Sequence, residues 1–168
     1  MDKLHIALSI ILLYFSQISL SATVIHAGLL IDGESSVPSP EMSIIVEGSK
    51  IEAIEAGFIT PDSDDEYIDL VGYTVLPGLI DMHVHLGSEY SKNSYQEKIT
   101  LNAGDFAIRA VANAEKTLLA GFTTVRNLGD SDGVTISLRN AIQKGIVSGP
   151  RIFSSGKTIA SSGGHGDP

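Results

Sequence analysis

The sequence predicts an α/β protein, and three observations carry the prediction. Residues 24–76 break into short strand-like runs separated by turn residues. From Pro77 onward, strand and helix patterns alternate. The 168 residues, 43% hydrophobic and 18% charged, are enough to build a real core. Strand–helix–strand–helix–strand order implies parallel strands joined by crossover helices. Three such strands suit either an open doubly wound sheet or the start of a (β/α)₈ barrel, and periodicity alone does not choose.

Residues 1–22 stand apart from that pattern. Met1-Asp2-Lys3 carries one positive side chain, offset by Asp2, and Ile6 to Phe15 is an almost unbroken apolar run. Small residues follow in Ser19-Leu20-Ser21-Ala22. These are the three parts of a secretory signal peptide, with cleavage after Ser21 or Ala22. The run falls short of the roughly 20 residues that span a bilayer. The expectation is export to the periplasm or the exterior, a mature chain starting near Thr23, and no membrane attachment after cleavage.

The strand-rich segment follows. Val24 to Gly33 is strand-like and ends in an Asp-Gly turn. Val37-Pro38-Ser39-Pro40 reads as a loop, because proline fixes φ and removes a ladder donor. Met42–Val46 and Ile51–Glu55 form the arms of a hairpin about Glu47-Gly48-Ser49-Lys50. Pro61 to Glu66 is a polar loop, and Tyr67–Leu70 and Tyr73–Leu76 flank a turn at Gly72. The expected product is a small antiparallel β domain over residues 23–76.

Beyond Pro77, Gly78 to Leu86 is an apolar strand. Gly104 to Ala120 places Ala107, Val111, Ala114 and Leu118 on one helical face, and Gly121 sits where a C-terminal glycine belongs. Phe122 to Leu128 is rich in β-formers, Val134 to Lys144 is a second helix stopped by Gly145, and Pro150 to Ser155 is a third strand.

Charge and cysteine usage narrow the function. A net charge of −9 argues against a nucleic-acid partner, since phosphate neutralisation needs clustered Lys and Arg. Part of the acidity is local, in Asp62, Asp64, Asp65 and Glu66. The chain has no cysteine, so disulfides and thiolate metal sites are excluded, and any metal must use histidine, carboxylate or a modified side chain.

The residues with chemistry lie on the strand after Pro77. Alternation along Ile80–Leu86 puts Asp81, His83 and His85 on one face and Ile80, Met82, Val84 and Leu86 on the other. Two histidines two residues apart can converge on one divalent ion. Asp81, deeper on the same face, either supports the pair by hydrogen bonding or satisfies nearby backbone. Gly87 ends the strand, so the histidines stand near its C-terminal end, where α/β folds carry their sites. A bare His-x-His is more often a pair of solvated or satisfied histidines, so the context decides.

That context is Pro77-Gly78-Leu79-Ile80-Asp81-Met82-His83-Val84-His85, which resembles the metal-dependent amidohydrolase superfamily. Thr123-Thr124-Val125-Arg126-Asn127-Leu128-Gly129 and Ser161-Ser162-Gly163-Gly164-His165-Gly166-Asp167 are similar to its imidazolonepropionase-like and Xaa-Pro-dipeptidase-like branch. The resemblance implies a (β/α)₈ barrel, of which this chain holds about three βα units (77–168), preceded by part of a small β-sandwich domain (23–76). It implies one or two divalent ions, usually Zn2+, that activate water against a C–N bond. The expected substrate is a small molecule, a dipeptide or cyclic amide. The expected ligands are His83 and His85, with Asp81 as their support. The family also uses a lysine on the fourth strand, histidines on the fifth and sixth and an aspartate on the eighth. The expectation is therefore an N-terminal fragment, lacking the later ligands and inactive by itself. Deamination of a heterocycle by the same machinery is the alternative enzyme reading; a non-catalytic fragment is the other alternative.

Two further residues are candidates for substrate contact. His165, in the glycine-rich loop after the third strand, either touches substrate or is a plain loop histidine. Arg126 either binds a substrate carboxylate or pairs with Asp130 or Asp132, the second being favoured. Branch members commonly carry Asp where this chain has Asn127. Lys157 comes just after the third strand, which argues against the bridging-lysine role. His26 is expected to be structural. The Gly163-Gly164-x-Gly166 run lacks the Lys-Ser/Thr pair of a phosphate cradle.

Overall fold

The computed structural model describes residues 21–130 and 132–164. Of the signal segment expected over residues 1–22, only Ser21 and Ala22 fall within them; His165 lies outside. The chain divides between Pro77 and Gly78 into two compact units.

The first unit holds β1 (Thr23–Leu30), β2 (Ser39–Glu47), β3 (Lys50–Ala56) and β4 (Glu66–Val75) in one sheet of order β3-β2-β1-β4. Its core is Ala27, Leu30 and Ile44, with Ile25, Met42, Val46 and Val75 packed around them. The β2–β3 hairpin forms as the alternation predicts. Three expectations fail. Ser39 and Pro40, expected in a loop, open strand β2 and pair with Leu30 and Leu29. The sheet is mixed, because β4 pairs with β1 in parallel while β1 and β2 are antiparallel. The turn expected at Gly72 is absent, and β4 runs through it as one strand. The cause is a bulge: Ala27 and Leu29 stand opposite Leu70 and Thr74, so β4 absorbs the extra residues without reversing. Gly28 makes this possible, since a Cβ there would collide with the Val71 carbonyl.

His26 belongs to this packing. Its Nε2 lies 2.9 Å from the Ile59 carbonyl oxygen and its Nδ1 3.1 Å from the Tyr67 hydroxyl. A carbonyl only accepts, so Nε2 carries the proton and Nδ1 accepts from Tyr67. The ring also stacks on Phe58 with centroids 4.9 Å apart.

The second unit holds β5 (Leu79–Val84), α1 (Ser94–Thr100), α2 (Ala103–Leu119), β6 (Phe122–Asn127), α3 (Val134–Gln143) and β7 (Arg151–Ser154). The strands are parallel in the order β5-β6-β7. Helix α2 starts with a capping box, in which the Asn102 side chain accepts from the Gly104 and Asp105 backbone and the Asp105 carboxylate accepts from Asn102 N–H. It ends before Gly121, whose N–H donates to Leu118. Among the described helices, α1 alone has no sequence signal; Arg109 ties it to α2 through Glu97 at 2.7 Å. The core is Leu86, Ala110, Ala114, Val125, Val134, Leu138 and Ile152, drawn from all three strand segments and from α2 and α3. Each fully buried Val, Leu or Ile contributes about 1.5–3 kcal/mol. No described helix is long and apolar enough to cross a membrane.

Candidate metal centre

His83 and His85 meet at the C-terminal end of β5. Their ring centroids are 5.4 Å apart, with the planes at 67°. Both residues are exposed. They reach this position through an irregular strand. Between Asp81↔Val125 and Val84↔Asn127, β5 advances three residues while β6 advances two. The strict alternation that grouped Asp81 with the histidines is therefore broken. Asp81 stands in register with Val125, whose side chain is buried in the core, and lines a hollow together with Val84, His85 and Asn113.

Side chains hold the irregular peptide. The Met82 carbonyl accepts from Arg126 Nε at 2.8 Å, and the His83 N–H donates to Asp81 Oδ1 at 2.9 Å. Past the strand end, the Leu86 N–H donates to Asn127 Oδ1 at 2.9 Å, and the Leu86 carbonyl accepts from Asn113 Nδ2 at 2.8 Å. The Val84 carbonyl accepts from Leu128 N–H at 3.2 Å. His85 Nδ1 faces the Gly129 carbonyl oxygen at 3.3 Å.

Arg126 pairs with neither Asp130 nor Asp132; its Nε donates to the Met82 carbonyl instead. The favoured ion pair does not form because Asp130 turns to α3, where its Oδ2 accepts from the Thr135 N–H at 3.1 Å and from the Thr135 hydroxyl. Sequence reasoning missed Asn113, Thr135 and the positive use of Asn127. The signal available was weak: Asn113 sits one residue from Ala114 on a helix whose apolar stripe was legible, and nothing local marks its reach to Leu86.

The donor chemistry suits a divalent ion in part. Two imidazoles side by side are ligands for zinc and for several other transition metals. Among the described residues, no group of three or more His, Cys, Asp or Glu side chains forms a complete cluster. A catalytic zinc takes three protein ligands as a rule, so His83 and His85 fit as two of a set.

A parallel βα sheet with an imidazole pair at the end of its first strand is an α/β arrangement that suits the start of a (β/α)₈ barrel. The model of the amidohydrolase family matches residues 74–167, and the chain belongs to that family. A Xaa-Pro dipeptidase solved with methionine bound in its active site is 52% identical, with a TM-score of 0.82 over 88% of this chain and 36% of that one. A prolidase complexed with N-methylphosphonate-L-proline is 34% identical, with a TM-score of 0.74 over 86% of this chain and 34% of that one. The ochratoxinase of Aspergillus niger is 28% identical over 153 residues, which are 86% of this chain and 30% of the enzyme. The chain thus spans about a third of the length of these relatives (30–36%). The expected fold class and the likeness to Xaa-Pro dipeptidases both stand.

Proposed function

We propose that this chain provides the opening ligands, His83 and His85, of a divalent-metal hydrolase that cleaves C–N bonds in dipeptide-like substrates. The observation that carries the reading is the pairing of the two imidazoles at the strand end, with the backbone around them pinned on both sides. Family membership and the likeness to a dipeptidase and a prolidase support the bond type and the substrate class. Zinc is the proposed ion, since the chain offers imidazole and no thiolate. A divalent ion held there would acidify water and polarise the scissile carbonyl.

The chain's own residues supply position. Asp81 holds the His83 N–H, Arg126 holds the Met82 carbonyl, and Asn113 and Asn127 hold Leu86. The two remaining guanidinium nitrogens of Arg126 are proposed to meet a substrate carboxylate, and His165 to contact the substrate from the loop after β7. The signal segment makes the protein an exported one in this reading.

The test is hydrolysis of a panel of Xaa-Pro and other dipeptides by the protein from its full reading frame. Activity should vanish on chelation, return with Zn2+, and be lost in His83→Ala and His85→Ala. Full activity in either variant would overturn the assignment.

A further inference from the structure

We infer that Asn127 is a positioning residue for His85, acting through the backbone carbonyl of Gly129. This rests on reading His85 as a ligand, but its central claim concerns only where the His85 ring holds its proton.

Asn127 has no exposed surface, although it lies at the end of a strand whose preceding inward residue is Val125. A buried amide is costly unless it is fully paired. This one is. Its Oδ1 accepts from the Leu86 N–H at 2.9 Å, and its Nδ2 donates to the Gly129 carbonyl at 3.2 Å and to Thr135 Oγ1 at 3.3 Å. The amide orientation is unambiguous, because a backbone N–H only donates and a carbonyl only accepts.

Gly129 is where the arrangement becomes specific. Its φ is 146°, and a Cβ there would collide with Thr158. Only glycine fits this conformation against that neighbour. The carbonyl it presents has two lone pairs. One receives Asn127 Nδ2 at 3.2 Å, and the other faces His85 Nδ1 at 3.3 Å. A carbonyl oxygen has no proton to give, so Nδ1 of the neutral ring must carry it. The lone pair then stands on Nε2, ready for a cation. In water a neutral histidine favours the opposite tautomer, so the protein selects the minor form.

One side chain therefore does two things. Through Oδ1 it fixes the peptide that follows His85, and through Nδ2 it aims the acceptor that sets the His85 tautomer. Thr135, which also bonds Asp130 and lies 2.7 Å from Ser154 Oγ, keeps the amide from rotating away.

The test is long-range ¹H–¹⁵N NMR of the histidine rings in the metal-free chain, at a pH where the rings are neutral. His85 should show the Nδ1–H form. In Asn127→Leu, which removes both the donor to the Gly129 carbonyl and the acceptor for Leu86, the Nδ1–H population should fall with the far-UV spectrum unchanged. Zn2+ affinity should fall about 10–100-fold. An Nε2–H ring in the unmodified chain overturns the inference, and so does an unchanged tautomer in a folded Asn127→Leu. If that variant does not fold, exchange of the Asn127 side-chain amide protons in the unmodified chain decides: slow exchange supports the relay and solvent-like exchange overturns it. Should the tautomer be as inferred while His85→Ala binds Zn2+ undiminished, the relay stands and the metal assignment fails.

Discussion

Arg126 Nε donates to the carbonyl oxygen of Met82 at 2.8 Å, across the irregular step of β5. An arginine on β6 thus closes a backbone bond that a regular ladder would have closed by itself. Replacing it with leucine should leave that carbonyl to water and cost about 0.5–1.5 kcal/mol. Urea unfolding of Arg126→Leu measures this. The same variant should loosen His83, seen as faster hydrogen exchange at its N–H.

His83 and His85 are exposed and contribute little packing. Each alanine variant should keep the thermal midpoint of the parent within a degree or two, since surface changes stay within about 0.5 kcal/mol. Each should lose most Zn2+ binding in a calorimetric titration of the full protein. A large drop in midpoint for either would mark it as structural instead.

In the strand-rich unit, Gly28→Ala would force a methyl group into the Val71 carbonyl. The bulge that lets β1 and β4 pair in parallel would have to shift. The expected loss is about 3 kcal/mol, at the upper end for overpacking. Thermal or urea denaturation reads it, with Gly33→Ala as a control for φ strain without collision.

Asp32 folds back on the turn that follows it. The Ser35 N–H and hydroxyl and the Glu34 N–H all donate to its carboxylate and hold its pKa below the ordinary carboxylate value. A lowered folded pKa stabilises the turn fully above the unfolded value, and that contribution disappears as the pH falls through the folded one. Carboxyl ¹³C titration should find Asp32 below its ordinary value, and Ser35→Ala should move it upward. An unshifted Asp32 would remove the Asx turn as a source of acid sensitivity.

Processing gives a last prediction. The Ala22 N–H donates to Asp65 Oδ1 at 2.9 Å, and the Ala22 carbonyl accepts from Glu66 N–H at 2.9 Å. Cleavage after Ser21 would place a new ammonium group against Asp65, whereas cleavage after Ala22 would delete both bonds. We propose that the exported protein begins at Ala22, the cleavage that leaves both bonds in place, a mass readily distinguished by intact-protein spectrometry. A mature terminus at Thr23 would refute it.

Much of the second unit was legible because its signals are local. The stripe in α2, the glycine at 121 and the His-x-His spacing each depend on residues within a few positions of one another. The parallel β1–β4 pairing was not legible, since residues 23–30 find residues 66–75 only through tertiary packing. Gly72 misled because glycine marks both turns and bulges. The slip in β5 escaped for a similar reason: alternation assumes a regular strand, and the bonds that pay for its irregularity come from Arg126 and Asn127, more than 40 positions away.

The supports of the histidine pair have a common property of order. Among the described residues, every group that pins residues 82–86 from a distance, namely Asn113, Arg126, Asn127, Leu128 and Gly129, follows the pair by fewer than 50 positions. On the ribosome, where chains emerge from the N-terminus at about 5–20 residues per second, the scaffold for these two imidazoles is synthesised within seconds of the imidazoles themselves. The two imidazoles and the groups that hold them are thus carried by one continuous stretch, residues 82–129.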